Sequence, residues 1–381
     1  NIQSVDAYAF NLPLNTGMVT PLGSEGALVR HFALTTQPNP NLIWERSESF
    51  DVGLDMTIAN KLTLTADFYR KKTLGMILAN QPDPHIGMTA VAPSNVGDVL
   101  NQGFEATLKY QDQVGDVNFN VQGNLGINDN KVLNIDGYYN SSILHGDHVR
   151  GTLLPYRSTK GQPLYSYNLI KSAGIFQSQE EINAHAVNGE LIQKNAKPGD
   201  LKFIDVNGDG KINDDDRQYM GSAVPKFTYG FSLNMNYKKF DLNVLTYGVS
   251  GSKIFNGYKF SAYNAGLQGY NLDSRVLNAW SEENRNTDIP RLSNQDPNGN
   301  FGTISDWYLE NGDFFRIKNI TLGYSLPNFV GNLSSRIYLS AENLFTATKY
   351  SGIDPEVGRI GLDVANYPVA KTYSIGINVN F

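Results

Sequence analysis

The residues best equipped for chemistry lie in one acidic run, Asp205-Val206-Asn207-Gly208-Asp209-Gly210-Lys211-Ile212-Asn213-Asp214-Asp215-Asp216. Side-chain oxygens at the first, third and fifth positions, a glycine at the sixth and a carboxylate at the twelfth follow the ligand spacing of a calcium loop. The expected ligands are Asp205, Asn207, Asp209, the main-chain carbonyl of Lys211, Asn213 and Asp216. The twelfth residue is Asp where a longer Glu usually grips the ion with both oxygens, and the loop lacks the long flanking helices of an EF-hand. Structural Ca²⁺ is therefore one reading, Mg²⁺ in a water-rich site a second, and a solvated acidic turn a third. With either metal the task is to brace an external loop.

Little else suggests a reaction. Of His31, His85, His145, His148 and His185, only His145 and His148 have a metal-like spacing, and a loop pair of that kind reads as polar surface. Glu180-Glu181 and Glu282-Glu283 read as solvated faces of helical stretches. The sequence has no nucleophile elbow, phosphate loop or dinucleotide fingerprint, so no residues support an enzyme. Aromatic residues crowd the long connections: Tyr138, Tyr139, Tyr156, Tyr165, Tyr167, Tyr258, Tyr263, Tyr270, Trp280, Trp307 and Tyr308. They can stack on sugars or a partner, or pack the loops against one another; the second is the plainer reading, and no substrate residue is assigned.

The elements that position these residues read as strands. In the last nine residues, Tyr373, Ile375, Ile377, Val379 and Phe381 alternate with Ser374, Gly376, Asn378 and Asn380. Such alternation over about ten residues marks a transmembrane β-strand, apolar towards lipid and polar towards a wet lumen. The pattern recurs in eight earlier stretches, within residues 50–58, 62–68, 104–110, 117–127, 227–237, 240–244, 320–324 and 337–341. Asn118, Asn120, Gln122 and Asn124 share one face, and unpaired amides in a dry core would each cost a few kcal/mol. Lumen water supplies their partners.

Composition agrees. The 36 Gly and 21 Tyr, with only 18% charged residues, favour strands and turns. No apolar run nears the ~18 residues of a membrane helix, and a mean hydropathy of -0.34 leaves a barrel open because alternation hides its lipid face. A net charge of -6 argues against a nucleic-acid partner. With 0 Cys there are no disulfides or thiolate metal sites. Asn1-Ile2-Gln3-Ser4 is neither a signal peptide nor a start at Met, so the chain reads as a piece of something longer.

Connections between the strands alternate short and long, as periplasmic turns and external loops do in outer-membrane barrels. The expected fold is all-β: an antiparallel transmembrane barrel portion over residues 50–381, preceded by an external connecting segment, 1–49, with one short strand near 27–34. Residues 128–224, which hold the acidic run and a short helix capped by Ser178 and Glu181, and residues 251–312, with a helix near 273–283, form the long external loops. The first and last strands both descend in this arrangement and would meet parallel. We therefore expect further polypeptide to complete the barrel, since open edges in lipid cost several kcal/mol per unsatisfied group.

Ordered along the chain, Asn41-Leu42-Ile43-Trp44-Glu45, Lys72-Thr73, Asn101-Gln102-Gly103-Phe104-Glu105, Lys197-Pro198-Gly199-Asp200, the 205–210 run, Asn343-Leu344-Phe345 and the 349–356 run resemble the carboxy-terminal part of SusC/RagA-type TonB-dependent transporters. That resemblance implies a barrel of about 22 strands with an N-terminal plug, driven by TonB in the outer membrane of a Gram-negative bacterium. It also implies a SusD-like lipoprotein that captures glycans or peptides at the surface. The alternative is a secreted all-β glycan-binding or adhesin domain, which shares the strands but needs no lipid.

Overall fold

In the computed structural model the described residues are 14–23, 26–34, 36–37, 39–78, 90–91, 93–135, 142–143, 146–267, 269–327, 334–357 and 360–380. Tyr138, Tyr139, His85, His145 and Phe381, all weighed above, lie outside them, as does most of the 327–335 turn.

Nine long strands form one sheet: β1 (Arg46–Ile58), β2 (Leu62–Leu78), β3 (Ser94–Val114), β4 (Val117–Ile135), β5 (Phe227–Tyr237), β6 (Phe240–Ser250), β7 (Phe314–Ser325), β8 (Ser334–Thr348) and β9 (Thr372–Asn380). Each hydrogen-bonds its chain neighbours and every pair is antiparallel, so the sheet is an uninterrupted meander. β1 and β9 are its two edges and do not pair with each other. The expected barrel wall is present as an open arc.

Register assigns the faces, because directly opposed residues share one. Val52 faces Phe68, Phe68 faces Phe104, Phe104 faces Ile127 and Ile127 faces Phe227, so one apolar surface runs across the wall. Phe50, Val52, Leu54, Ile375 and Ile377 on that surface are well exposed, the arrangement lipid demands. On the other face Thr65 donates to Asp55 at 2.7 Å, Thr321 and Ser340 hydroxyls lie 2.9 Å apart, and Asn243 bonds Asn234. Three tyrosines lie over glycines of the neighbouring strand, Tyr69 on Gly103, Tyr229 on Gly248 and Tyr338 on Gly376, where any Cβ would collide with the ring.

At one end the strands turn tightly. Ala59 and Asn60 take φ of 52° and 55°, the left-handed pair of a two-residue hairpin turn whose twist matches the strands. At the other end β2, β3 and β4 run longer than their alternation suggested. At ~3.3 Å per residue, the 21 residues of β3 far exceed the ~25 Å apolar band of a barrel. There Val96, Val132 and Ile135 become buried and pack with Leu78 and Leu164. The strand at Ala27–Leu34 is present, hairpinned to Leu14–Leu22, a strand whose interrupting Pro21 hid it.

Beyond this rim the described residues of three connections, 136–226, 251–313 and 349–371, build one lobe. Its core joins Val149, Tyr156, Tyr167 and Leu169 of the first, Phe255, Ile304 and Tyr308 of the second and Leu362 of the third. The Ile170 amide donates to Ile304 O, that of Phe255 to Gly361 O, and the Tyr167 hydroxyl to Gly361 O. The helix Gln179–Ala184 starts at Ser178, whose hydroxyl accepts from the Glu181 amide. Near 273–283 the helix is a single 3₁₀ stretch, Ser274–Asn278, and an α-turn forms earlier, at Tyr258–Ala262.

Candidate functional site

The acidic run is a closed loop following the short strand Leu201–Phe203. Asp205 accepts from Gly208 and Gly210 amides at 2.7 and 2.8 Å, Asn207 from Asp209 at 2.9 Å, and Asp209 from Lys211 at 2.9 Å. Asp216 is fully buried and accepts from Val206 and Asn213, both at 2.9 Å. Gly210, with φ of +82°, makes the reversal that wraps the chain around its own carboxylates. Among the described residues no three His, Cys, Asp or Glu side chains converge as a metal site; here, however, half the expected donors are the amides of Asn207 and Asn213 and a carbonyl. His148 is exposed, and His185 packs edge-on against Phe176.

The aromatic residues of the loops mostly serve packing. Tyr156, Tyr167 and Tyr308 have no exposed surface, and burial raises all three hydroxyl pKa values far above the ordinary range. Trp280 donates to Gln177 Oε1 at 2.9 Å, and Tyr263 and Phe301 pack edge-on against Trp307. Tyr270 is well exposed, with Arg150 over its ring.

Two features were not legible in the sequence. The first is a cavity of about 800 Å³ in the lobe, lined by Lys259, Arg275, Asn286, Asp288, Trp307 and Glu310 among others. Lys259 reaches Glu310 at 3.0 Å and lies above the Trp307 ring. Burial alone would raise the Glu310 pKa, but Lys259, Asn256 and Ser351 outweigh it and hold it below the usual carboxylate range. The second is an ionic bracket on the lumen face. Arg316 lies opposite Tyr247, on the face away from Ile320 and Leu322, and is almost wholly buried. It donates to Thr346 at 2.9 Å, Asp354 at 2.5 Å and Glu356 at 2.8 Å; Lys318 also grips Glu356. The 349–371 connection is thereby tied down inside the arc. Opposite charges 38 to 51 positions apart leave no periodic trace, so sequence spacing gave no sign of either feature.

Two more of the short motifs named above prove to be brackets. Glu45 accepts from the Ile77 amide and Asn95 from that of Ile43, tying the 41–45 segment to the rim. Asp200 accepts from its own Lys197 amide, from Asn300 and from Arg291.

A wall that is apolar outside, polar within and capped by loops at one end defines an outer-membrane barrel, and comparison with known proteins agrees. Residues 7–380 match the family model described as TonB dependent receptor-like, beta-barrel. TonB-dependent receptor P3 of Formosa agariphila is 30% identical over 93% of this chain and 36% of its own length, and TonB-dependent receptor SusC of Bacteroides thetaiotaomicron 28% identical over 90% and 32%. The RagAB peptide transporter structure superposes with a TM-score of 0.77 at 26% identity, covering 98% of this chain and 39% of that one. This chain thus spans 32% to 39% of the length of these relatives, and it is an outer-membrane protein that belongs to the TonB-dependent receptor β-barrel family.

Proposed function

We propose that this chain is the carboxy-terminal wall of an importer, taking glycans or peptides across the outer membrane with energy from TonB and with a SusD-like lipoprotein at the surface. The observation that carries the reading is the polar inner face beneath a preorganised external lobe, in a sheet whose two edges remain unpaired. A remaining barrel and plug segment fits that open arc, because lipid tolerates no free strand edge. The similarity to SusC and to the RagAB peptide transporter supports the importer class. The test expresses the complete polypeptide in cells with and without functional TonB and follows depletion of a mixed oligosaccharide and oligopeptide pool. Uptake that needs both supports the reading, and uptake indifferent to TonB sinks it. A secreted adhesin or glycan-binding domain would instead stay monodisperse without detergent.

We further propose that residues 205–216 hold a structural Ca²⁺. The all-oxygen donor set of Asp205, Asn207, Asp209, Lys211 O, Asn213 and Asp216 suits a hard cation, and Gly210 allows the turn that gathers it. Asp205→Ala with Asp209→Ala should abolish the bound ion and increase proteolytic cutting between residues 136 and 226. Elemental analysis of the purified protein reads Ca²⁺ and Mg²⁺ together, and an unchanged ion content rejects the site.

A further inference from the structure

One face of a small sheet in the lobe gathers two arginines against one largely exposed carboxylate. Segment 155–157 pairs with the strand Ser166–Ile170 through the Tyr156–Tyr167 bridge, and that strand pairs with Arg217–Ser222. The Arg157 amide donates to Ser166 O, which puts Arg157 opposite Ser166, while Asn168 lies opposite Tyr219 and Ile170 opposite Arg217. Alternation then turns Tyr156, Tyr167 and Leu169 into the aromatic core and leaves Arg157, Asn168, Tyr219 and Arg217 together on the other face. Nε of both arginines and Oδ1 of Asn168 are buried without a hydrogen-bond partner. Among the described residues the one ion pair that either arginine makes is with Asp214, which reaches Arg217 at 2.8 Å from a side chain that is 68% exposed. Tyr219 also lines a neighbouring cavity of about 430 Å³, in whose wall Lys226 and Lys253 are balanced by Asp129 and Asp313.

A guanidinium keeps its proton at any working pH. Burial, and then the like charge of Arg157, press Arg217 downward against the pull of Asp214, yet it cannot relieve the strain by becoming neutral. What relieves it is an oxyanion, because two planar forks and an amide match the acceptor geometry of a carboxylate or sulfate.

We propose that Arg157, Asn168 and Arg217 form an oxyanion-binding site on the outer lobe, one that takes a carboxylate or sulfate group of an incoming ligand. Binding requires the Asn168 amide to rotate, exchanging its unpartnered Oδ1 for the NH₂, which then supplies the third donor. The site depends on the importer reading only for where the ligand goes next, so its test uses purified complete polypeptide in detergent, with no energised membrane. Sodium sulfate and sodium glucuronate are titrated separately at constant ionic strength against sodium chloride and methyl glucoside, with the lobe's thermal transition as the signal. The wild-type chain should respond to at least one oxyanion, and the preferred one identifies the group. Arg157→Gln and Arg217→Gln should each weaken that response at least tenfold, and Arg217→Lys, which keeps charge but loses the fork, by less. The general salting effect of sulfate persists in the variants and is thereby subtracted. Wild type and variants responding alike, or wild type responding to neither anion, overturns the proposal. If Arg217→Gln fails to fold, Arg157→Gln decides alone. A site that binds in a protein that does not import refutes the transport reading and leaves this one standing.

Discussion

Phe255→Ala melts the outer lobe well before the barrel. Phe255 is wholly buried, stacks against Tyr308 with ring centroids 4.9 Å apart and against Tyr167 at 6.5 Å, and belongs to the cluster shared by all three connections. Truncation removes the ring's transfer free energy and leaves a void that its rigid neighbours cannot fill, ~3–5 kcal/mol in comparable cores. Each connection is held chiefly by the other two, so the loss falls on the whole lobe. Hydrogen exchange of the complete polypeptide in detergent should show protection falling across residues 146–176 and 300–310 together, with the wall strands unchanged. A loss confined to the residues next to position 255 would mean that the loops fold independently.

Arg316→Met releases the 349–371 connection from the wall. Removing the guanidinium leaves Asp354, itself 11% exposed, as a buried carboxylate without its cation, a change that costs ~3–5 kcal/mol in typical buried pairs. Glu356 is more exposed, at 38%, and its share is screened by water. Asp354 keeps the amides of Val369 and Glu356 as donors, which puts the expected loss near the lower end of that range. The double variant with Asp354→Leu should recover much of the stability, since an apolar pair of similar volume avoids the desolvation penalty. Limited proteolysis within residues 349–371 measures release; cutting rates equal to wild type in Arg316→Met would show that the bracket does not hold the loop.

These two sites mark where the sequence stops being readable. The nine wall strands were legible because a period of two, repeated against lipid on one side and water on the other, is stamped on every stretch such as Phe227 to Tyr237. Their ends were not: past the apolar band both faces of β3 and β4 become polar or buried among loops, and alternation ceases to report on anything. The helix at Ser178 announced itself through a cap contained within four residues. Tyr167, Phe255 and Tyr308 carried no such signal, because they meet only after the loops have folded, and a Tyr in a loop looks the same whether it stacks on a ligand or on Phe255. The bracket motifs were conspicuous as residues, yet Ile43, Asp200 and Asp354 meet Asn95, Arg291 and Arg316 across 52, 91 and 38 positions of chain, beyond the reach of any local pattern.

The tyrosines lying over glycines bear on how such a wall is put together at all. Neighbouring strands in a membrane slide along one another while the ladder forms, and a slip by two residues keeps every side chain on its proper face, so neither lipid nor water can correct it. Shape can. Shifted by two, Tyr69 would press on Asn101 or Glu105 in place of Gly103, Tyr338 on Ser374 or Asn378 in place of Gly376, and the ring would have nowhere to lie. Each tyrosine therefore acts as a detent, a notch that a sliding strand finds once and holds. One such notch stands at the β2–β3 seam, one at β5–β6 and one at β8–β9, and each fixes the sliding of its own pair of strands.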